Sequence, residues 1–239
     1  YEMHNCLVGS EMCIRDRGID IFLKHPNIIK IVCHDIGRHL GCYGVKSVNS
    51  NAIDSLAKNG ILFKNSFSTS PGCSPSRAAI ATGMYPHNTG VLGLAHAHFG
   101  WSLDKKINHI AKYFSKNGYT SILFGLQHVT YHEKTLGFNK IFPERPADEV
   151  LKKITKIIDN KIFKKPFYAE VNFFEPHRPF DYGGVKPDKS KGVYIPKYIP
   201  KNIYSRREFA EMQGAIKKMD DTVFKIINLL KKKNLYENT

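Results

Sequence analysis

"PNIIKIVCHD", residues 26–35, decides how the rest of the chain is read. It is a short, continuous apolar run closed by polar residues. Such a run fits a strand buried on both faces of a parallel sheet. A strand of that kind carries His34 and Asp35 to its carboxyl end, where open α/β sheets gather their ligands. The pattern downstream agrees. "NSNAIDSLAKNG" (49–60) predicts an amphipathic helix with Gly60 as its C-cap, and "ILFKNSFS" (61–68) predicts a strand. "PSRAAIATG" (75–83) predicts a helix with Pro75 in its first turn and Gly83 after its end. Helix 107–118, strand 119–125, helix 147–161, strand 166–174 and a long helix 206–234 follow. Gly214 is the one residue that weakens the last of these. Tyr182 to Ser205, rich in Pro, Lys and Tyr, predicts an excursion over the surface.

Alternating helices and strands define an α/β class with a mostly parallel central sheet flanked by helices. The chemically rich segments "CHD", "GCSPSR", "GLQH" and "EPHR" each follow a predicted strand. One shared active site is the simplest reading of that coincidence.

The 239 residues suffice for a sizeable core, and 42% hydrophobic with 24% charged residues is an ordinary globular balance. No apolar run reaches the length of a membrane span. The compartment stays open, with a periplasmic or secreted location expected if a signal peptide has been lost. The net charge of +15, from 36 Lys and Arg against 21 Asp and Glu, is compatible with an anionic glycan or another anionic substrate. It is equally what a lysine-, isoleucine- and asparagine-rich composition produces on a solvated face. No nucleic-acid-binding motif is present. Five scattered cysteines and no CxxC pair argue against a disulfide framework or a structural zinc site.

"CLVGSEMCIRDR" (6–17) has neither a helical nor a strand period and looks like a translated sequencing-adapter string. Residues 1–18 are therefore set apart as a sequencing artefact or a disordered stretch, the alternative being a genuine N-terminal helix.

Cys73 lies in "STSPGCSPSRAAIATG" (68–83). It could be a thiolate nucleophile at a helix N-terminus, its pKa lowered by the dipole. It could also be a buried small hydrophobe. Gly72, Ser74, Ser76 and Arg77 around it, and the entry into a helix, favour an anion-binding loop.

Those residues carry a resemblance. "CSPSRAAIATG" resembles the type I sulfatase signature, C-x-P-x-R followed by Thr-Gly. "HDIGRHLGCYG", "GVLGLAHAHFGW", "HIAKYFSKNGYTSILFGLQH" and "FEPHRPF" resemble the sulfamidase (heparan N-sulfatase) branch, in order, over residues 26–239. The resemblance implies an alkaline-phosphatase-like sulfatase fold, with residues 19–239 the N-terminal portion of the catalytic domain. It implies that a maturation enzyme oxidises Cys73 to Cα-formylglycine. One hydroxyl of the aldehyde hydrate then attacks sulfur, and deprotonation of the other expels sulfate. It implies a divalent metal, calcium first, held by Asp35, His34 and the residue formed from Cys73, although His34 stands where the family has a second Asp. Arg77 would steady the hydrate and the sulfate. His128 matches a family histidine, with Leu126 where the family has lysine. His177 would be a general acid at the leaving group, or else a surface-loop histidine. Glu175 and Arg178 could contact a sugar or simply face solvent, and His96 and His98 lie in a shared segment without an assigned role.

The implied function is hydrolysis of a sulfuric ester or sulfamate on a sulfated saccharide. The alternatives are a phosphonate or phosphate monoester hydrolase of the same superfamily and a non-catalytic glycan-binding relative. The family's later strand and Asp-Asn or Asp-His pair would follow "KNLYENT". The expectation is therefore a fragment lacking the C-terminal part, with little or no turnover of its own.

Overall fold

The computed structural model describes residues 12–16, 19–23, 25–96, 98, 100–160 and 166–239. Of the stretch set apart at the N-terminus, only 12–16 is among them. There β1 (Met12–Asp16) pairs antiparallel with β2 (Ile19–Leu23) as a ribbon separate from the main sheet. The main sheet holds β3 (Ile28–Val32), β4 (Thr120–Gly125), β5 (Lys140–Phe142) and β6 (Phe167–Asn172). Its order is β3-β6-β4-β5, with every neighbouring pair parallel. All four carboxyl ends therefore lie along one edge of the sheet. The helices are α1 (Asn51–Asn59), α2 (Cys73–Thr82), α3 (Pro86–Thr89), α4 (Ile110–Lys116), α5 (Ala147–Asp159) and α6 (Ile203–Lys232).

The two faces of the sheet differ in chemistry. Phe167, Ala169 and Val171 of β6, with Ile122 and Phe124 of β4, pack with Val150 and Ile154 of α5 and Ile216, Met219 and Val223 of α6. Burying each large apolar side chain there contributes about 1.5–3 kcal/mol. The opposite face of β6 presents Tyr168, Glu170 and Asn172, all buried. Polar groups out of water need partners. Lys30 Nζ lies 2.7 Å from Glu170 Oε1, Tyr168 donates to the same carboxylate, and the Tyr168 ring stacks on Phe114 with centroids 4.5 Å apart.

Two expectations need correction. β3 is only half-buried along its length, because among the described residues it is an edge strand paired on one side by β6. Residues 61–68 form no strand. Ile61, Phe63 and Phe67 are exposed and the segment has no ladder partner, so its β-branched and aromatic content has no pleated surface to pack on. Gly60 is the C-cap of α1, at φ −126°, and Gly83 closes α2 in the left-handed region at φ +71°. The excursion from 182 to 205 is mostly exposed, and Gln213 of α6 pins it. The Gln213 side-chain amide donates to Gly192 O (2.9 Å) and Asp188 O (3.1 Å) and accepts from the Tyr194 N–H (2.9 Å).

Gly214 sits beside that pin, and here its presence in a helix has a cause. A Cβ on it would lie 2.0 Å from the Lys186 carbonyl oxygen. Alanine would add about 1 kcal/mol of helix propensity. The backbone clash costs about 1–3 kcal/mol as overpacking, so Gly214→Ala should lower stability in urea denaturation.

His109 caps α4 by accepting the Ala111 N–H on Nδ1 at 3.1 Å. That leaves its hydrogen on Nε2, which faces Glu170 Oε1 at 3.9 Å. Burial pulls the imidazole pKa down to about 4. Because the folded value lies below the unfolded one, the unfolded chain binds the proton first. Stability tied to His109 is complete above about pH 6.5 and is lost as the pH falls towards 4. The expected loss by then is on the order of 3 kcal/mol. His109→Asn, which keeps a capping acceptor, should flatten that acid limb in a pH series of denaturation midpoints.

Candidate active site

Backbone pairing between β3 and β6 continues past the ends of both strands. The Phe173 N–H donates to Val32 O (3.0 Å) and the His34 N–H donates to Glu175 O (3.2 Å). These bonds bring the "CHD" and "EPHR" segments side by side. Asp35 follows at φ +50° and His128, after β4, at φ +59°. Left-handed backbone is uncommon for non-glycine residues and is tolerated best by Asp, Asn and His. Two of the four described residues in that state are thus residues singled out from sequence.

His34 is the centre of the cluster and is 2% exposed. Its Nδ1 lies 2.9 Å from Asp35 Oδ1, and His177 Nε2 lies 3.7 Å from Asp35 Oδ2. The His34 ring meets His177 edge-on at 4.5 Å between centroids and stands 6.1 Å from His128. His96 stacks on His128 at 4.2 Å, with its Nδ1 against His128 Nε2. Donor atoms of His34, Cys73 and His128 lie within 4.8 Å of one another, as do those of His34, Asp35 and His177. Cys73 opens α2, and Arg77, one turn on, is buried, with Nη1 3.4 Å from the Leu126 carbonyl oxygen.

The electrostatics follow from burial and close charge. The hydrogen bond from His34 holds the Asp35 carboxyl below its usual range, while burial pulls His34 down against that same bond. Burial, with His96 next, pulls His128 down to about 4. Burial pushes the Cys73 thiol up, and the Ser74 amide and Arg77 oppose it without prevailing. Helix-dipole activation of a thiolate, open from sequence, is therefore outweighed here.

Two sequence-derived roles change. Glu175 is 2% exposed, accepts the Ala147 N–H at 3.0 Å, and anchors the start of α5 with Lys218 at 3.8 Å. A carboxylate so buried cannot reach a sugar, so its expected substrate contact is withdrawn. Arg178 is exposed and paired with Glu208 at 2.6 Å, outside both donor triads. His98 is exposed, whereas His96 joins the cluster. His96 had only its place in a shared segment to mark it. Glu170 had no mark at all, since it lies mid-strand, away from any motif.

Calcium takes six to eight oxygen ligands. Among the described residues of the two donor triads, Asp35 supplies the only carboxylate, and the rest are imidazoles and a thiol. This donor set does not fit calcium. Two clefts reach the cluster. One, of about 650 Å³, is lined by His96, His128, Lys105, Lys134 and Arg145. The other, of about 560 Å³, is lined by Asp35, Arg38, Tyr43 and Tyr194.

The parallel sheet flanked by helices, with basic and imidazole side chains gathered at its carboxyl edge, is an alkaline-phosphatase-like α/β fold. The comparisons with known proteins narrow this. The family model "Sulfatase" matches residues 26–239, and the chain belongs to the sulfatase family. It is 25% identical to human N-sulphoglucosamine sulphohydrolase over 244 residues, covering 89% of this chain and 48% of that protein. It is 33% identical over 186 residues to an ulvan-active sulfatase of Formosa agariphila, covering 75% and 35%. In fold it is similar to the phosphonate monoester hydrolase of Agrobacterium radiobacter, with a TM-score of 0.68, 18% identity, and coverage of 90% and 61%. The chain spans about half the length, or less, of these curated relatives.

Because burial raises its pKa, unconverted Cys73 should react with iodoacetamide near neutral pH more slowly in the folded chain than in urea. Peptide mapping by mass spectrometry reads this, and equal rates would show an activated thiol instead.

Proposed function

We propose that the complete protein hydrolyses a sulfuric ester or sulfamate on a sulfated saccharide, with Cα-formylglycine formed from Cys73 by a separate maturation enzyme. The observation that carries this is the placing of Cys73 and Arg77 on the first turns of α2, within the cluster formed by His34 and His128. The raised thiol pKa supports it too, because an unconverted Cys73 is a poor nucleophile at neutral pH. Formed there, a formylglycine hydrate would supply an attacking oxygen and a second hydroxyl for sulfate release.

The chain's own residues do the rest. Arg77, buried and always charged, offers planar donors to an anionic ester without competition from bulk water. His177, partly exposed beside Asp35, is placed to hold a proton for the leaving oxygen or nitrogen. His128, kept neutral by burial, is placed to hydrogen-bond the sulfuryl group without adding charge. Asp35 and His34 are where a divalent cation would be held. Lys105, Lys134 and Arg145 along the larger cleft suit a polyanionic saccharide, as do the glycan names of the two curated relatives.

A phosphonate or phosphate ester is the second reading, supported by the fold likeness to the phosphonate monoester hydrolase. The complete protein, co-expressed with a formylglycine-generating enzyme, should cleave an aryl sulfate or N-sulfoglucosamine in preference to matched phosphate and phosphonate esters. Arg77→Lys should lower kcat/KM by about a hundredfold. The opposite ester preference would establish the second reading.

A further inference from the structure

The thiol encoded at position 73 lies beside nitrogen donors of His34 and His128. We propose that His34, unconverted Cys73 and His128 form a site for a borderline divalent cation, zinc above calcium, with Asp35 as the carboxylate that orients His34. Three observations carry it. The three donor atoms lie within 4.8 Å of one another. His128 Nδ1 is buried and has no hydrogen-bond partner among the described residues, although its Nε2 is engaged by His96. A buried ring nitrogen without a partner is costly unless something binds it. Finally, His34 Nδ1 is tied to Asp35 at 2.9 Å. A ligating histidine commonly donates its other ring N–H to a carboxylate, which fixes the tautomer and leaves Nε2 with its lone pair.

The donor chemistry selects the ion. Thiolate and imidazole favour zinc, cobalt and similar cations, whereas calcium prefers oxygen. Three protein ligands and an open fourth position are a common arrangement for zinc. On binding, the thiol proton passes to buffer and the sulfur lone pair goes to the cation, with no change of oxidation state. The inference concerns the unconverted cysteine and does not depend on the proposed reaction. It adds one consequence: conversion to formylglycine removes the sulfur donor, so zinc binding would distinguish the two forms of the chain.

The test uses the whole chain, reduced and stripped of metal, with circular dichroism to check each variant's fold. Calorimetric titration should give zinc binding that is far tighter than calcium binding. Cobalt should produce a thiolate-to-metal charge-transfer absorption. Cys73→Ser should abolish that absorption, and His128→Asn should weaken zinc binding by about tenfold or more. Asp35→Asn should weaken it by a similar factor while keeping the absorption, the mark of an orienting residue. Calcium binding as tightly as zinc would overturn the proposal. So would an absorption that survives Cys73→Ser, or zinc binding that is lost in His177→Asn and kept in Cys73→Ser. The last result would place the ion on His34, Asp35 and His177 instead.

Discussion

Two backbone hydrogen bonds hold the site together: Phe173 to Val32 and His34 to Glu175. They extend the parallel pairing of β3 with β6 beyond the strands proper, into segments that would otherwise diverge as loops. Chains 140 residues apart in register, Ile28 opposite Tyr168, thereby present His34, Asp35 and His177 as one group. In a parallel sheet every strand delivers its following loop to the same edge. β4 adds His128 there by the same rule, and α2 returns Cys73 and Arg77 to it.

The polar face of β6 deserves equal weight with the apolar one. Glu170 is buried with Lys30, Tyr168 and His109 around it, two residues before Asn172 on the same face and close enough to Arg77 to favour its charge. A buried cation such as Arg77 must have compensating negative charge or it would be too costly to keep dry. Asp35 on one side and Glu170 on the other supply it. The scaffold thus holds one positive group ready at the site while leaving few of its own carboxylates to compete for a substrate's position. Glu175, the one buried carboxylate next to the site in sequence, is turned away to the N-terminus of α5.

One of the cluster's imidazoles, His34, stands where the resemblance implies a second Asp, and Leu126 stands where it implies a lysine. The first substitution exchanges a hard oxygen donor for a softer nitrogen, changing which cations the site prefers. The second removes a flexible cation, and the Leu126 backbone carbonyl instead receives Arg77. Burial pulls the pKa of both His34 and His128 down, so the site's imidazoles favour the neutral form.

The alternation of apolar runs with amphipathic helices, and the motif around Cys73, were enough for the class and the family resemblance. Both signals are local: periodicity of 2 or 3.6, and residue types at short fixed spacing. The strand expected at 61–68 failed because β-propensity means little without a partner surface. Gly214 looked like a flaw in a helix until the Lys186 carbonyl was found against it. Glu175 and His96 exchanged their expected standing for the same reason. Whether a side chain faces a cleft or a helix end depends on chain segments far away in sequence, and only their packing decides which polar atoms find partners and which are left for a ligand.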